Sequence, residues 1–313
     1  MSDKFLVTGA TGFVGQGLIA MLKRQGAPYC AVARRTAADT AIIPSIDGKT
    51  DWQALLPGIG IVVHTAARVH LLADDTANPL AEFRKVNVEG TLNLARQAAQ
   101  AGVRRFIFIS SIKVHGEKNH HGLPFSADDQ PRPEDAYAIS KYEAEQGLLE
   151  LARTSGMQVV IIRPPLVYGI GVKANFDLLM KAIIRGIPLP LGAISNRRSF
   201  VALDNLLDLI WTCAHHPAAA NQVFLVSDGD DLSTPELISR LAFALKVPAR
   251  LISVPVSLFR SLAYLLGKKK MSSRLCDSLL LDIDKTCRIL QWYPPVTMAQ
   301  ALEETAKFYQ SQR

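Results

Sequence analysis

The first two dozen residues restrict the fold most. Phe5-Leu6-Val7 is a short apolar run that leads into Thr8-Gly9-Ala10-Thr11-Gly12-Phe13-Val14-Gly15, followed by the apolar-periodic Leu18, Ile19, Met21 and Leu22. A strand, a glycine turn and a helix are expected in that order. Three glycines spaced Gly-x-x-Gly-x-x-Gly permit tight curvature and let a pyrophosphate approach the helix start. Unpaired amides and the helix dipole favour an anion there. The spacing differs from the Gly-x-Gly-x-x-Gly of the older dinucleotide fingerprint. A purely structural turn is the competing reading, weakened by the turn's position directly after a first strand.

Apolar runs at 5–8, 29–33, 61–64, 105–110 and 159–163 read as strands, with helices expected at about 15–25, 80–101 and 137–155. Such alternation predicts a Rossmann-like α/β fold, a doubly wound parallel sheet covered on both faces with right-handed crossovers. After Arg163-Pro164-Pro165 the pattern changes. Helical segments at about 176–185, 203–215, 234–245, 257–266 and 298–310 are joined by connectors such as Gly186-Ile187-Pro188-Leu189-Pro190. Residues 1–165 are therefore expected to form a dinucleotide-binding domain and 166–313 a smaller, mainly helical substrate-binding lobe. The two are expected to interleave, because 223–226 reads as a further strand.

Tyr137 and Lys141 carry the candidate chemistry. Four residues is about one helical turn, so phenol and ammonium share a helix face. A fixed cation favours the phenolate and is expected to lower the tyrosine pKa, making Tyr137 a candidate general acid/base. A helix face with an ordinary ion pair fits the same spacing. Ser110 and Ser111 stand at the end of the fourth strand, where doubly wound sheets place ligand-contacting groups.

Composition narrows the alternatives. Apolar residues at 49% and charged residues at 20% describe a chain able to bury a large core rather than a disordered one. A net charge of +7 comes from 35 basic and 28 acidic side chains, scattered and without an aromatic-basic stripe, so a phosphate-bearing substrate explains it as well as nucleic acid does. Cys30, Cys213, Cys276 and Cys287 form no Cys-x-x-Cys pair and read as free thiols of a reducing compartment. No signal peptide is visible, and a cytoplasmic protein is expected. The pairs His120/His121 and His215/His216 lack a Glu or Cys at ligand spacing, so no metal site is expected. The stretch 258–266 followed by Lys268-Lys269-Lys270 reads either as a helix packed on the substrate lobe, the preferred reading, or as a membrane-surface helix. At about 13 residues from Val254 it is too short to span a bilayer.

Taken together, the glycine turn, Val62-Val63-His64-Thr65-Ala66-Ala67, Asn87-Val88-Glu89-Gly90-Thr91, Ser111, the Tyr137/Lys141 pair and Arg163-Pro164-Pro165-Leu166-Val167-Tyr168-Gly169 resemble the extended short-chain dehydrogenase/reductase family of nucleotide-sugar epimerases, dehydratases and reductases. The resemblance spans essentially the whole chain. Ala67-Arg68-Val69-His70, Ser110-Ser111-Ile112-Lys113-Val114 and Ser199-Phe200-Val201 narrow it toward bacterial enzymes acting on UDP-N-acetylhexosamines for O-antigen.

That resemblance implies Tyr137 as acid/base, Lys141 as the group that lowers its pKa and holds the nicotinamide ribose, and Ser111 as donor to the reacting oxygen. It implies Gly9, Gly12, Phe13, Val14 and Gly15 around the cofactor pyrophosphate, Ser45 and Ile46 near the adenine, and Ala66, Ala67 and Arg68 along the cofactor. NAD-preferring relatives carry an acid at the Ala33 position. Its absence here, with Arg34 next to it, implies NADP(H) by preference, with NAD(H) as the alternative. Asn175, Arg198 and Arg274 are implied on the sugar-diphosphate side, and Arg197 could exchange roles with Arg198. His115 stands where the family often has tyrosine, a departure that bears on the substrate side. A homodimer through helices 80–101 and 137–155 is the family precedent. The leading expectation is C4 reduction of a UDP-4-keto-6-deoxy-N-acetylhexosamine for O-antigen synthesis. UDP-hexose or UDP-N-acetylhexosamine 4-epimerase is the alternative, and a flavonoid-type carbonyl reductase or a non-catalytic dinucleotide-binding protein are more distant ones.

Overall fold

The structure, a computed structural model, describes residues 3–35, 40–69, 78–119, 122–173 and 175–312, the side chain of Asn175 excepted. His70, His120 and His121 lie outside the described residues, as does that side chain.

Seven parallel strands make the main sheet: β1 (Lys4–Thr8), β2 (Tyr29–Ala33), β3 (Thr40–Ile42), β4 (Ile59–His64), β5 (Arg105–Ile109), β6 (Gln158–Arg163) and, from the second half of the chain, β9 (Gln222–Leu225). Their order is β3-β2-β1-β4-β5-β6-β9, so the chain reverses direction across the sheet between β1 and β4. In an open α/β sheet the crevice at that reversal, beyond the strand C-termini, is where ligands bind. The short β7 (Leu166–Tyr168) and β8 (Phe200–Ala202) pair separately.

The strands are continuously apolar because both faces are buried, and alternate residues serve each face. In β5, Ile107 and Ile109 join α1 (Phe13–Arg24) and α6 (Leu203–His215) in one core. Phe106 and Phe108 join α3 (Thr91–Gln100) and α4 (Ala136–Ser155) in the other. A third core unites Tyr168 with α5 (Asn175–Ile184), α7 (Thr234–Ala244) and α11 (Met298–Ser311). After residue 166 the chain thus contributes β9 and α6 to the sheet unit and α5, α7 and α11 to this helical lobe. That lobe also holds α8 (Val256–Leu265) and α9 (Lys269–Cys276), and α10 (Asp284–Leu290) follows β9 in space.

One helix expected over 80–101 is in fact three pieces: α2 (Pro79–Arg84), a π-helical turn Lys85–Gly90, and α3. The widened turn turns Asn87 inward, where its amide is fully buried and bonded to distant groups. Single π turns inside helices often mark functional sites.

Candidate active site

The glycine turn forms a cradle. Gly9 has φ +71°, and a Cβ there would lie 2.7 Å from the Ala66 amide nitrogen. At Gly15 a Cβ would stand 2.1 Å from the Gly9 carbonyl oxygen. Only glycine fits both places. The Gly12 amide donates to Gly9 O at 2.8 Å and closes the turn. Helix α1 then begins at Phe13 with no side-chain cap and no acidic residue in its first turn, which leaves its positive end for an outside anion. The chain thus fits a dinucleotide pyrophosphate at the Gly9, Gly12, Phe13, Val14 and Gly15 backbone.

At the end of β2, Arg34 and Arg35 are exposed and line an open cavity of about 490 Å³ with Thr11 and Pro44. Ser45 is exposed and its carbonyl accepts from the Thr50 hydroxyl, whereas Ile46 is a core residue packed on Gly90. Asp47 caps a local turn by accepting from the Lys49 amide at 2.9 Å.

Next to the turn, a hydrogen-bonded string runs through the sheet. Thr8 Oγ1 and His64 Nδ1 lie 2.7 Å apart, and His64 Nε2 lies 3.0 Å from Thr91 Oγ1. Burial, with Lys141 as the second cause, lowers the His64 pKa to about 3, so this histidine is a neutral staple. The loop after β4 is held by Asn87, whose Oδ1 accepts from the Arg68 amide at 2.8 Å and whose Nδ2 donates to Arg68 O at 3.1 Å and to Ser140 Oγ at 3.0 Å. Ser140 in turn donates to Tyr137 O at 2.7 Å. One amide thereby ties Ala66-Ala67-Arg68 to the helix that carries Tyr137 and Lys141. The sequence motif contained Asn87 without revealing this role. The Arg68 guanidinium stands 5.9 Å from the Phe83 ring centre and 3.8 Å from Glu82.

Asp135 caps α4 by accepting from the Ala138 amide at 2.7 Å, which sets the register that places Tyr137 and Lys141 at the helix start. Lys141 is 1% exposed, with its ammonium 3.8 Å from the Phe108 ring centre. A desolvated cation–π contact contributes about 2 kcal/mol. Burial outweighs it, because the Lys141 pKa is lowered to about 7 despite the opposing Glu145 carboxylate. Tyr137 packs edge-on to Phe83 at 6.1 Å. Its pKa is raised to about 12 by burial first and the Asp135 carboxylate second. This corrects the expectation from spacing that Lys141 would pull Tyr137 down. A low-dielectric environment disfavours both charged forms, so the phenol is favoured over the phenolate and the lysine holds its proton less tightly than usual.

Below this pair lies a buried ion pair, Glu145 with Arg163, bidentate at 3.1 and 2.6 Å. Arg163 Nη1 also lies 2.7 Å from His115 Nε2, and His115 stacks on Phe125 at 5.3 Å. Burial and Arg163 lower the His115 pKa to about 4. His115 is thus a core group and not a substrate-side one. Ser111 is partly exposed and its Oγ accepts from the Lys113 amide at 3.3 Å, while Ser110 is buried with an unpartnered Oγ.

On the substrate side, Lys113 bridges Asp135 at 2.8 Å and Glu117 at 2.5 Å. The Arg198 pKa is lowered by burial, with Glu117 and Asp277 opposing and Arg274 adding to the shift. The Arg274 charge is thus felt at Arg198, although 76 positions separate the two in sequence. Arg198 Nη1 donates to Asp277 O at 3.0 Å, whereas exposed Arg197 reaches Asp231 O at 3.2 Å. Tyr168 is pinned in the core, its hydroxyl donating to Asp228 at 2.7 Å.

Known proteins fix the family. The profile of the NAD dependent epimerase/dehydratase family matches residues 5–227. This chain belongs to that family. A UDP-glucose 4-epimerase of Vibrio cholerae is 47% identical over 99% of this chain and 96% of its own length. The solved structure of MoeE5 in complex with UDP-glucose and NAD has a TM-score of 0.79 at 24% identity, covering 99% of each chain. That of RMD from Pseudomonas aeruginosa with NADPH scores 0.76 at 24% identity, covering 99% of this chain and 100% of its own. At these identities the structures speak for the fold, a Rossmann-like α/β sheet in every case.

Proposed function

We propose that this family member is a UDP-sugar 4-epimerase. The carrying observation is the 47% identity to the Vibrio cholerae enzyme along 99% of the chain, with Ser111, Tyr137 and Lys141 in place. The reading departs from the 4-keto reductase that the sequence favoured, because a relative this similar over the full length outweighs a cofactor argument resting on Arg34.

A bound nicotinamide dinucleotide supplies acceptance and return of hydride at sugar C4. Burial favours the Tyr137 phenol, so taking the C4 hydroxyl proton requires Tyr137 first to release its own to solvent, a loss that the Lys141 ammonium and a bound oxidised nicotinamide favour. Tyr137 later returns a proton to the C4 oxygen. Ser111 donates a hydrogen bond to the same oxygen while it carries carbonyl character. Lys141 holds the ribose hydroxyls of the cofactor, and their oxygens restore part of the solvation that its ammonium loses on burial. Arg198 and Arg274 grip the diphosphate, and Asn175 assists from the start of α5. The Gly9–Gly15 backbone holds the pyrophosphate of the cofactor, flanked by Ala66 and Ala67.

Two observations favour a second reading, net reduction of a 4-keto sugar by NADPH. Burial favours the protonated form of Tyr137, the form a reductase needs at the outset. Arg34 and Arg35 line the cavity beside Thr11, suited to a 2′-phosphate. The test is direct. Purified protein given UDP-N-acetylglucosamine or UDP-glucose without added cofactor is expected to form the C4 epimer. Stoichiometric NADPH oxidation on a UDP-4-keto-6-deoxy-N-acetylhexosamine, with no epimer formed, overturns the epimerase in favour of the reductase. In that case Arg34→Ala is expected to weaken NADPH far more than NADH.

A further inference from the structure

Basic side chains are scattered along the chain, but their excess over acidic ones falls in one segment. From Leu237 to Cys276 the chain has no acidic residue and eight basic ones: Arg240, Lys246, Arg250, Arg260, Lys268, Lys269, Lys270 and Arg274. Removing these eight leaves 27 basic side chains against 28 acidic in the rest of the molecule, so the excess of +7 resides in this segment. Arg240 and Arg260 are paired with Asp230 and Asp277 from outside it. The three consecutive lysines are exposed.

The same segment carries an unusual apolar surface. Helix α8 seats Val256, Phe259 and Ala263 on the helical lobe, as a packed helix should. Its other side is uncovered. Leu258, Leu262 and Leu265 recur at four- and three-residue spacing on one face and are 60%, 55% and 80% exposed, continued by Leu266 at 62% and Met271 at 47%. Scattered exposed leucines need no explanation, but a contiguous apolar stripe running into a lysine cluster does. No helix among the described residues is long and apolar enough to cross a membrane.

We propose that α8, with the Lys268–Lys270 run, is a peripheral docking surface for an anionic lipid bilayer. An amphipathic helix lies in the interface plane with its apolar face among the acyl chains and cations near the headgroups. Both parts are present here, in adjacent residues. Charge selects the occupant. A second copy seated on the same face by a two-fold axis would bring two acid-free cationic segments together, whereas anionic headgroups complement them. Docking by this face takes Arg274 and the substrate lobe to the membrane surface.

Flotation of the full-length protein with phosphatidylcholine vesicles, with and without phosphatidylglycerol, tests the assignment. The protein is expected to float with the anionic vesicles, weakly with the neutral ones, and to be released at about 0.5 M salt as screening shortens the reach of the lysines. Leu262→Asp with Leu265→Asp, and separately Lys268→Gln, Lys269→Gln and Lys270→Gln together, are each expected to lower vesicle binding at least about tenfold with melting temperature unchanged. Wild-type protein that stays at the bottom of the gradient with anionic vesicles overturns the proposal. So do variants that float like wild type. A leucine variant whose sedimentation shows loss of a dimer assigns the face to a second copy instead. The readout involves no turnover, so its failure is independent of whether the enzyme epimerises a UDP-sugar.

Discussion

Lysine occupies two opposite settings in this molecule. Lys141 on α4 is buried over the Phe108 ring, with Glu145 and Arg163 beneath it, and burial shifts its pKa to about 7. Lys268, Lys269 and Lys270 stand in solvent beside an uncovered leucine stripe. In the first setting charge is costly and becomes reactivity, because desolvation brings proton affinities toward working pH. In the second it costs little, stays fully hydrated and acts at a distance on whatever carries the opposite sign. On the roles proposed above, charge serves chemistry where the fold removes water and recognition where it does not.

The comparison breaks most readily at the buried pair. Glu145→Ala leaves Arg163 buried without its carboxylate, and the expected loss is about 3–5 kcal/mol in chemical denaturation. A loss below about 1 kcal/mol would mean the region is wetter than its burial indicates. Next comes Tyr137→Phe, expected to reduce turnover at least about 100-fold while dinucleotide binding, measured by fluorescence titration, stays within about twofold. Wild-type turnover in this variant would remove Tyr137 from the chemistry.

A smaller effect comes from His115. Its folded pKa of about 4 lies below the usual 6.5, so the unfolded chain takes up a proton first as pH falls. Stability is fully present above pH 6.5 and declines toward pH 4, and His64, at about 3, adds to the same decline. In His115→Gln the slope of unfolding free energy against pH across that window is expected to shrink by up to about one proton. An unchanged slope would show that His115 charges freely in the fold. The smallest effect sharpens the other side: replacing Lys268, Lys269 and Lys270 by glutamine is expected to change stability by less than about 0.5 kcal/mol. Destabilisation beyond that would mean the lysines serve the fold rather than a partner.

Much of the architecture was legible because its signals are local. The strands at 5–8, 29–33 and 61–64 show as apolar runs, the glycine turn needs no partner to be recognised, and α6 was expected at its observed bounds, 203–215. Failures came where distant groups decide. Helix 80–101 reads as one amphipathic pattern, yet it breaks at the π turn, where Asn87 bonds to Arg68 and Ser140, 19 and 53 residues away. Strands β7 and β8 have three residues each and exist only as a pair. Helices α9 and α10 are 8 and 7 residues long, too short for periodicity to stand out. In 258–266 the helix packs on the lobe as the pattern suggests, through Phe259 and Ala263, but only the positions of neighbouring helices show that its leucine stripe is uncovered.

By itself the sequence determined the alternating α/β order, the glycine cradle and the placement of Tyr137 and Lys141 one turn apart, all consequences of short-range backbone geometry. Tertiary structure decided their protonation. Spacing sets how near two groups are, but the sign of a pKa shift depends on the water left around them. Phe83, Phe108 and the buried Glu145–Arg163 pair remove that water, coming from segments far apart in the chain. The same reasoning holds for Arg198 and Arg274, each an ordinary arginine in the sequence. They influence each other only because the loop before β8 meets the end of helix α9 at Asp277.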